Sequence, residues 1–263
     1  MTFEKIIFEN RDGVGIITLN DPANRNTISG SIVPEIAQCL DDCSDNQQVR
    51  AIVIRGAGPA FSAGGNINVM KNRIETGNFD DVAPSMRRLG LVVAKMRNIR
   101  KPVIASVHGA AAGGGFSLIL HCDFRIVTED AKFVLPFVNL GLIPDCGGIL
   151  PLLRMIGIAK TTELLMTAKL LKGNEAYEWG LANQAVPADK LEEATMKFAK
   201  KLANGPTLAY GNIKVMINRL AYEGFDWQLE NESEIQQLLF KSDDHKEGAF
   251  SFLEKRKPAF KGK

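Results

Sequence analysis

Little in this chain points to secretion, a membrane or a metal. Cysteine is scarce: Cys39, Cys43, Cys122 and Cys146 form neither C-x-x-C pairs nor an extracellular disulfide pattern. The first residues, MTFEKIIFENRDG, lack a basic region followed by an apolar stretch and a cleavage site. Together these absences predict a reduced, cytoplasmic protein. No segment approaches the roughly 18 uninterrupted apolar residues needed to cross a bilayer, so no membrane partner is expected. Histidine is scarce as well, and His108, His121 and His245 have no ligand spacing, so no metal is expected. Neither sign of charge dominates. The 32 basic and 30 acidic residues leave a net +2, too little to recruit nucleic acid through a bulk field. The motif G-x-G-x-x-G is missing too, which excludes a dinucleotide fingerprint.

What is present is an alternation of apolar runs. With 263 residues, 45% of them hydrophobic, the chain can bury a large core. FEKIIFE and VGIITLN read as strands split by the turn Arg11-Asp12-Gly13. Ser31 to Asp42 reads as an amphipathic helix carrying Ile32, Ile36 and Leu40 on one side. Arg50 to Arg55 and Pro102 to Val107 are continuous apolar strands, as in a sheet covered on both faces. Asp80 to Asn98 separates them as a helix, and FRIVTE is strand-like. This order predicts an α/β fold. After about residue 187 the strand signal ends, and ADKLEEATMKFAKKLAN, Pro206 to Tyr222 and Phe225 to Phe240 read as helices. The expected organisation is an α/β core over residues 1–186 and a helical region over 187–263. The basic end, EKRKPAFKGK, reads as a solvated tail.

Two glycine-rich turns and one acid stand out. Gly113-Gly114-Gly115 follows the strand at Pro102 to Val107 and opens a helix, where free N–H groups favour negative charge. Close packing of helix on strand is its ordinary use. Phe61-Ser62-Ala63-Gly64-Gly65-Asn66 also follows an apolar strand, and two such turns can converge two N–H donors on one oxygen. Asp145, in Ile-Pro-Asp-Cys-Gly-Gly, has an ordinary reading as a helix N-cap. Its functional reading is a general acid/base desolvated by Val134, Leu135, Phe137, Val138, Leu140, Leu142 and Ile143. Cys146 is a nucleophile candidate without a histidine placed beside it, and Ser117 has no elbow motif around it.

Taken in order, ITLNDPANRNTIS, AFSAGGNI, PVIASVHGAAAGGGFSLILHCDFRI, GLIPDCGG, LLMTAKLLKGNEAYEWGLANQAVP and AFSFLEKRKPAFK resemble the enoyl-CoA hydratase/isomerase (crotonase) superfamily over nearly the whole chain. The resemblance implies a spiral of ββα turns followed by a helical trimerisation region, assembled as a homotrimer or a dimer of trimers. It implies an acyl-CoA thioester substrate whose enolate oxygen is held by the N–H groups of Gly65 and Gly114. No bound cofactor is implied, since coenzyme A enters as part of the substrate. Arg25, Phe252 and Lys255 match positions that contact the coenzyme. Substrate contact also falls to Ala63, Asn66 and Ile67 around the first turn, and to Phe137 and Leu140 before Asp145.

The departures narrow the reaction. Hydratases of the family carry one Glu two residues after the glycine triplet and another after the Pro of the later loop. Ser117 and Phe137 occupy those positions here, and neither titrates near neutrality. Asp145 matches the acid of certain enoyl-CoA isomerases, including those resembling the ring-rearranging isomerases of phenylacetate degradation. One carboxylate suffices to move a proton between two carbons. Dehalogenases of the superfamily use an Asp here with a His and a Trp, but position 137 is Phe and residues 80–98 contain no His. The expectation is an isomerase. The alternatives are a hydratase with atypical acids, or a CoA-binding or RNA-binding member that has lost catalysis.

Overall fold

The computed structural model describes residues 3–263. Strands β1 (Ile6–Arg11) and β2 (Val14–Leu19) form a hairpin across Asp12-Gly13. Helix α1 (Ile32–Asp45) then leads to β3 (Ala51–Gly56), and α2 (Ile67–Thr76) with α3 (Val82–Asn98) leads to β4 (Val103–Val107). Next come β5 (Ala110–Ala112), α4 (Gly114–Leu120), β6 (Phe124–Thr128) and β7 (Lys132–Val134). They are followed by α5 (Ile149–Thr167), β8 (Leu171–Lys172), α6 (Gly173–Glu178) and β9 (Gln184–Val186). Four helices close the chain: α7 (Leu191–Ala203), α8 (Thr207–Ala221), α9 (Phe225–Leu239) and α10 (Asp243–Leu253).

The larger sheet has the order β1-β2-β3-β4-β6-β9 and is parallel except for the first pair. Its central strands are largely apolar because both faces are covered. Alternate residues serve different cores. Ile17, Ile52, Ile54, Val103 and Ala105 join α1 and α3 on one face. Val14, Ile16, Ala51, Val53 and Ile104 meet Leu191, Met196, Ala199 and Leu202 of α7 on the other. No described helix is long and apolar enough to cross a membrane.

One connection departs from the sequence expectation. The strand Val103–Val107 does not run straight into the glycine triplet. The chain turns at His108-Gly109 and adds β5, which pairs with β7 in a second sheet of order β5-β7-β8. Three small alanines gave little strand signal by propensity. Tertiary pairing makes the strand, and it sets the position of the glycine helix.

Candidate active site

The first wall of the site is the loop between β3 and α2. Asn26, wholly buried, reaches the carbonyls of Ala57, Ala60 and Phe61 at 2.9, 3.0 and 3.2 Å, while its Oδ1 accepts from the Asp21 N–H at 2.8 Å. Ser62 Oγ donates to Asn26 O at 2.7 Å and accepts from the Gly64 N–H at 3.1 Å. The Ser62 backbone also pairs with β5: its N–H donates to Ala110 O at 3.0 Å, and its carbonyl accepts from Ala112 N–H at 2.9 Å. This lacing presses Gly64 onto the start of α4. With φ at +79°, a Cβ there would lie 2.5 Å from Ala112 O and 3.1 Å from Gly114 N, so only glycine fits.

Gly65 and Gly114 consequently line one cavity. Gly114 is the first residue of α4, where an N–H has no intrahelical acceptor. Among the described residues, neither the Gly65 nor the Gly114 N–H has a backbone acceptor. Two unpaired donors beside one hollow are the minimum an oxyanion site requires.

The opposite wall carries Asp145. It is not the N-cap of α5, which corrects the ordinary reading: α5 begins at Ile149 behind Gly148, and no side chain caps it. Asp145 Oδ1 is buried without a hydrogen-bond partner and faces the glycine helix. A Cβ on Gly114 would lie 3.2 Å from it. Burial pushes this carboxyl up to about 6, with the Cys146 thiol and the loop backbone pulling it back. Of the apolar residues expected around it, Phe137, Leu140 and Leu142 line the adjoining cavities, whereas Leu135 is buried and Val138 exposed away from them.

Two cavities meet at this junction and share Gly65, Asn66, Met70, Phe137 and Asp145. The outer one, about 460 Å³, is also lined by Arg25, Ala63, Ile67, Leu140 and Phe252. The inner one, about 260 Å³, extends between Val33, Met86, Leu89, Leu142 and Phe240. The residues matched by motif therefore converge, with one exception: Lys255 lines neither cavity, sitting after α10 with φ at +55°. Ser117 is wholly buried, and its Oγ has no partner in the structure. Burial pushes the Cys146 thiol well up, away from the thiolate form that a nucleophile needs. The nearby His121 is spent on the Cys146 carbonyl, which its Nε2 reaches at 2.8 Å. Among the described residues no cluster of His, Cys, Asp or Glu could hold a metal ion.

Four supporting residues escaped the sequence reading: Asn26, Ser62, His121 and Glu232. Asn26 and Ser62 lie inside quoted motifs, but nothing in their spacing shows that they fasten one loop to another. His121 and Glu232 act on the Asp145 loop from 25 and 85 residues away in the chain. A local pattern carries no trace of such contacts.

The enoyl-CoA hydratase/isomerase family profile matches residues 9–263. The chain is 37% identical over 261 residues to a 1,2-epoxyphenylacetyl-CoA isomerase of Escherichia coli (strain K12), covering 99% of each. It is 39% identical over 258 residues to a "Probable enoyl-CoA hydratase" of Bacillus subtilis (strain 168), covering 95% of each. A crystal structure of an enoyl-CoA hydratase from Mycobacterium avium subsp. paratuberculosis superposes with a TM-score of 0.89 at 29% identity, over 99% of this chain and 100% of that one. The glycine turns and the acid facing them thus sit on a shared fold, and the chain belongs to the enoyl-CoA hydratase/isomerase family.

Proposed function

We propose that the protein is an enoyl-CoA isomerase that shifts a double bond through a thioester dienolate. The observation that carries this reading is the unpartnered Oδ1 of Asp145, buried beside Gly114 and lining both cavities. The Asp145 carboxylate removes a proton from the carbon next to the thioester of a 3-enoyl chain. The electron pair moves onto the thioester oxygen, where the Gly65 and Gly114 N–H groups stabilise it. The same carboxyl then returns the proton two carbons away, leaving a conjugated 2-enoyl ester. A carboxyl titrating at about 6 suits both halves of this exchange, being a usable base and a usable acid near neutrality.

Hydration would require a second titratable group facing the substrate. Ser117 and Phe137 do not provide one, and Glu232, the other buried acid nearby, lines neither cavity. The 1,2-epoxyphenylacetyl-CoA isomerase relative supports the same choice. Arg25 and Phe252, at the mouth of the outer cavity, are proposed to meet the coenzyme, with Lys255 contributing across an assembly. The helical region 187–263 is proposed to build a homotrimer or a pair of trimers, since α8 and α9 expose Leu208, Ile217, Leu220, Trp227 and Leu238. A cytoplasmic location belongs to the same proposal.

The test is a rate comparison. A 3-enoyl-CoA ester should gain the absorbance of a conjugated thioester, and crotonyl-CoA should not lose it by taking up water. Rapid hydration of crotonyl-CoA with no isomerisation would reject the proposal.

A further inference from the structure

We propose that Glu232 is a positioning residue of this site, holding Asp145 beside the glycine N–H groups and limiting the two carboxyls to one negative charge between them. The proposal rests on Asp145 as the proton carrier. It begins from a stripe on α9. Gln228, Glu232 and Gln236 are spaced by four residues, so they share one helix face. All three grip the segment that carries Asp145. Gln236 accepts from Ile143 N–H at 3.3 Å and donates to Ile143 O at 2.9 Å. Both carboxyl oxygens of Glu232 accept from Gly147 N–H at 3.1 Å. Gln228 accepts from Leu150 N–H at 3.0 Å and donates to Glu232 at 3.3 Å.

The segment needs such a grip. Cys146 and Gly147 both adopt left-handed backbone, φ +56° and +64°, and Cys146 does so with a side chain. From the other side His121 Nε2–H donates to Cys146 O. Two of the three gripping residues of α9 are neutral amides, and a glutamine at position 232 would accept the Gly147 N–H equally well. What the acid adds is a second titratable carboxyl, 6% exposed, behind the first.

Among the described residues no cation balances the pair. His121 is held neutral, its ring pushed down to about 3 by burial and by Arg97. The Cys146 thiol is held protonated by burial. Gln228 and Gln236 carry no charge. On the cavity side Arg73 is taken by Asp81 at 2.9 and 2.7 Å, with Arg88 further along the same wall. Burial and then the charge on Asp145 push Glu232 up to about 8, above the value of about 6 at Asp145. In this proposal Asp145 ionises first and Glu232 keeps its proton through neutrality. A second charge across the strained turn repels the first and displaces Asp145 from the glycine pair.

The experiment is the pH profile of kcat/KM on 3-hexenoyl-CoA for wild type, Glu232→Gln and Glu232→Ala. Wild type should decline below pH about 6 and again above about 8. Glu232→Gln should keep the acid limb and lose the alkaline one, exceeding wild type roughly tenfold one pH unit above that limb. Glu232→Ala should also lose the alkaline limb, but from pH 6 to 8 it should run roughly tenfold below Glu232→Gln in kcat with KM little changed, because the turn is no longer held. Superimposable profiles for wild type and Glu232→Gln would overturn the proposal, as would equal losses in Gln and Ala at pH 7. A carboxyl titration by carbon-13 NMR on unliganded protein separates this idea from the isomerase reading. In Asp145→Asn the proton affinity of Glu232 should fall roughly tenfold. An unchanged titration rejects the pairing whatever the activity, whereas full activity of Asp145→Asn rejects Asp145 as the proton carrier and leaves the titration to judge the pair.

Discussion

The glycine wall and the acid wall of the cleft are held together by different means. On the glycine wall, Asn26, Ser62 and Ala112 bind neighbouring backbone within two adjacent loops and a short strand. The two glycines whose N–H groups have no backbone acceptor among the described residues line the cavity. On the acid wall, the turn Asp145–Gly148 contributes little to its own support and hangs between the end of α4 and the stripe on α9. A fixed pair of N–H groups is suited to an oxygen that gains charge, because no reorganisation is needed when the charge appears. A carboxyl that must give up and regain a proton is better placed on a turn whose surroundings set its proton affinity.

If the two walls divide the work in this way, their substitutions should fail differently. Asp145→Asn keeps the shape and removes the proposed base. Turnover should fall at least a hundredfold, with CoA-ester binding by calorimetry nearly unchanged. Asn26→Ala should fail through the fold instead. It strands the buried carbonyls of Ala60 and Phe61 and the half-buried one of Ala57, at a cost of roughly 3 kcal/mol in denaturant unfolding. A fully active, equally stable Asn26→Ala protein would erase the distinction. Gly64→Ala comes next. Its positive φ and the 2.5 Å approach to Ala112 O should cost about 2 kcal/mol, read as a lower Tm together with a lower kcat.

The same division decides what could be read from the sequence. β3, β4 and the glycine-opened α4 were legible because continuous apolar runs and glycine triplets are local signals. Gly65, Gly114 and Asp145 could be singled out as candidates from two glycine turns and one acid, but only the resemblance assigned them roles, since an N-cap explains a lone Asp equally well. β5 was not legible, because Ala110–Ala112 becomes a strand only through its pairing with β7 and the bridge to Ser62. Glu232 was hidden for a related reason. Along α9 it looks like one more surface acid among Glu230 and Glu234, and only the fold shows that its face is turned inward.

The smallest expected effect sharpens the comparison most, because it reads the acid wall through stability and not through turnover. Both carboxyls there titrate higher in the folded chain than their ordinary values of 3.8 and 4.5. A raised acid binds more protons folded than unfolded. Its stabilising contribution is therefore full below its unfolded value and is lost as pH rises through its folded value. For Asp145 that loss is complete soon above about 6, whereas for Glu232 it continues to about 8. Between pH 6 and 8 wild type should keep losing stability while Glu232→Gln stays nearly flat. The difference should be about 1 kcal/mol across these two pH units, below the limit of about 2.8 kcal/mol set by about 1.4 kcal/mol per unit, because buried sites respond with an effective dielectric well above that of dry protein. Parallel curves from urea unfolding at pH 6, 7 and 8 would mean that Glu232 is ionised in the folded protein at neutrality. The acid wall would then carry two charges, and its contrast with the glycine wall would rest on geometry alone.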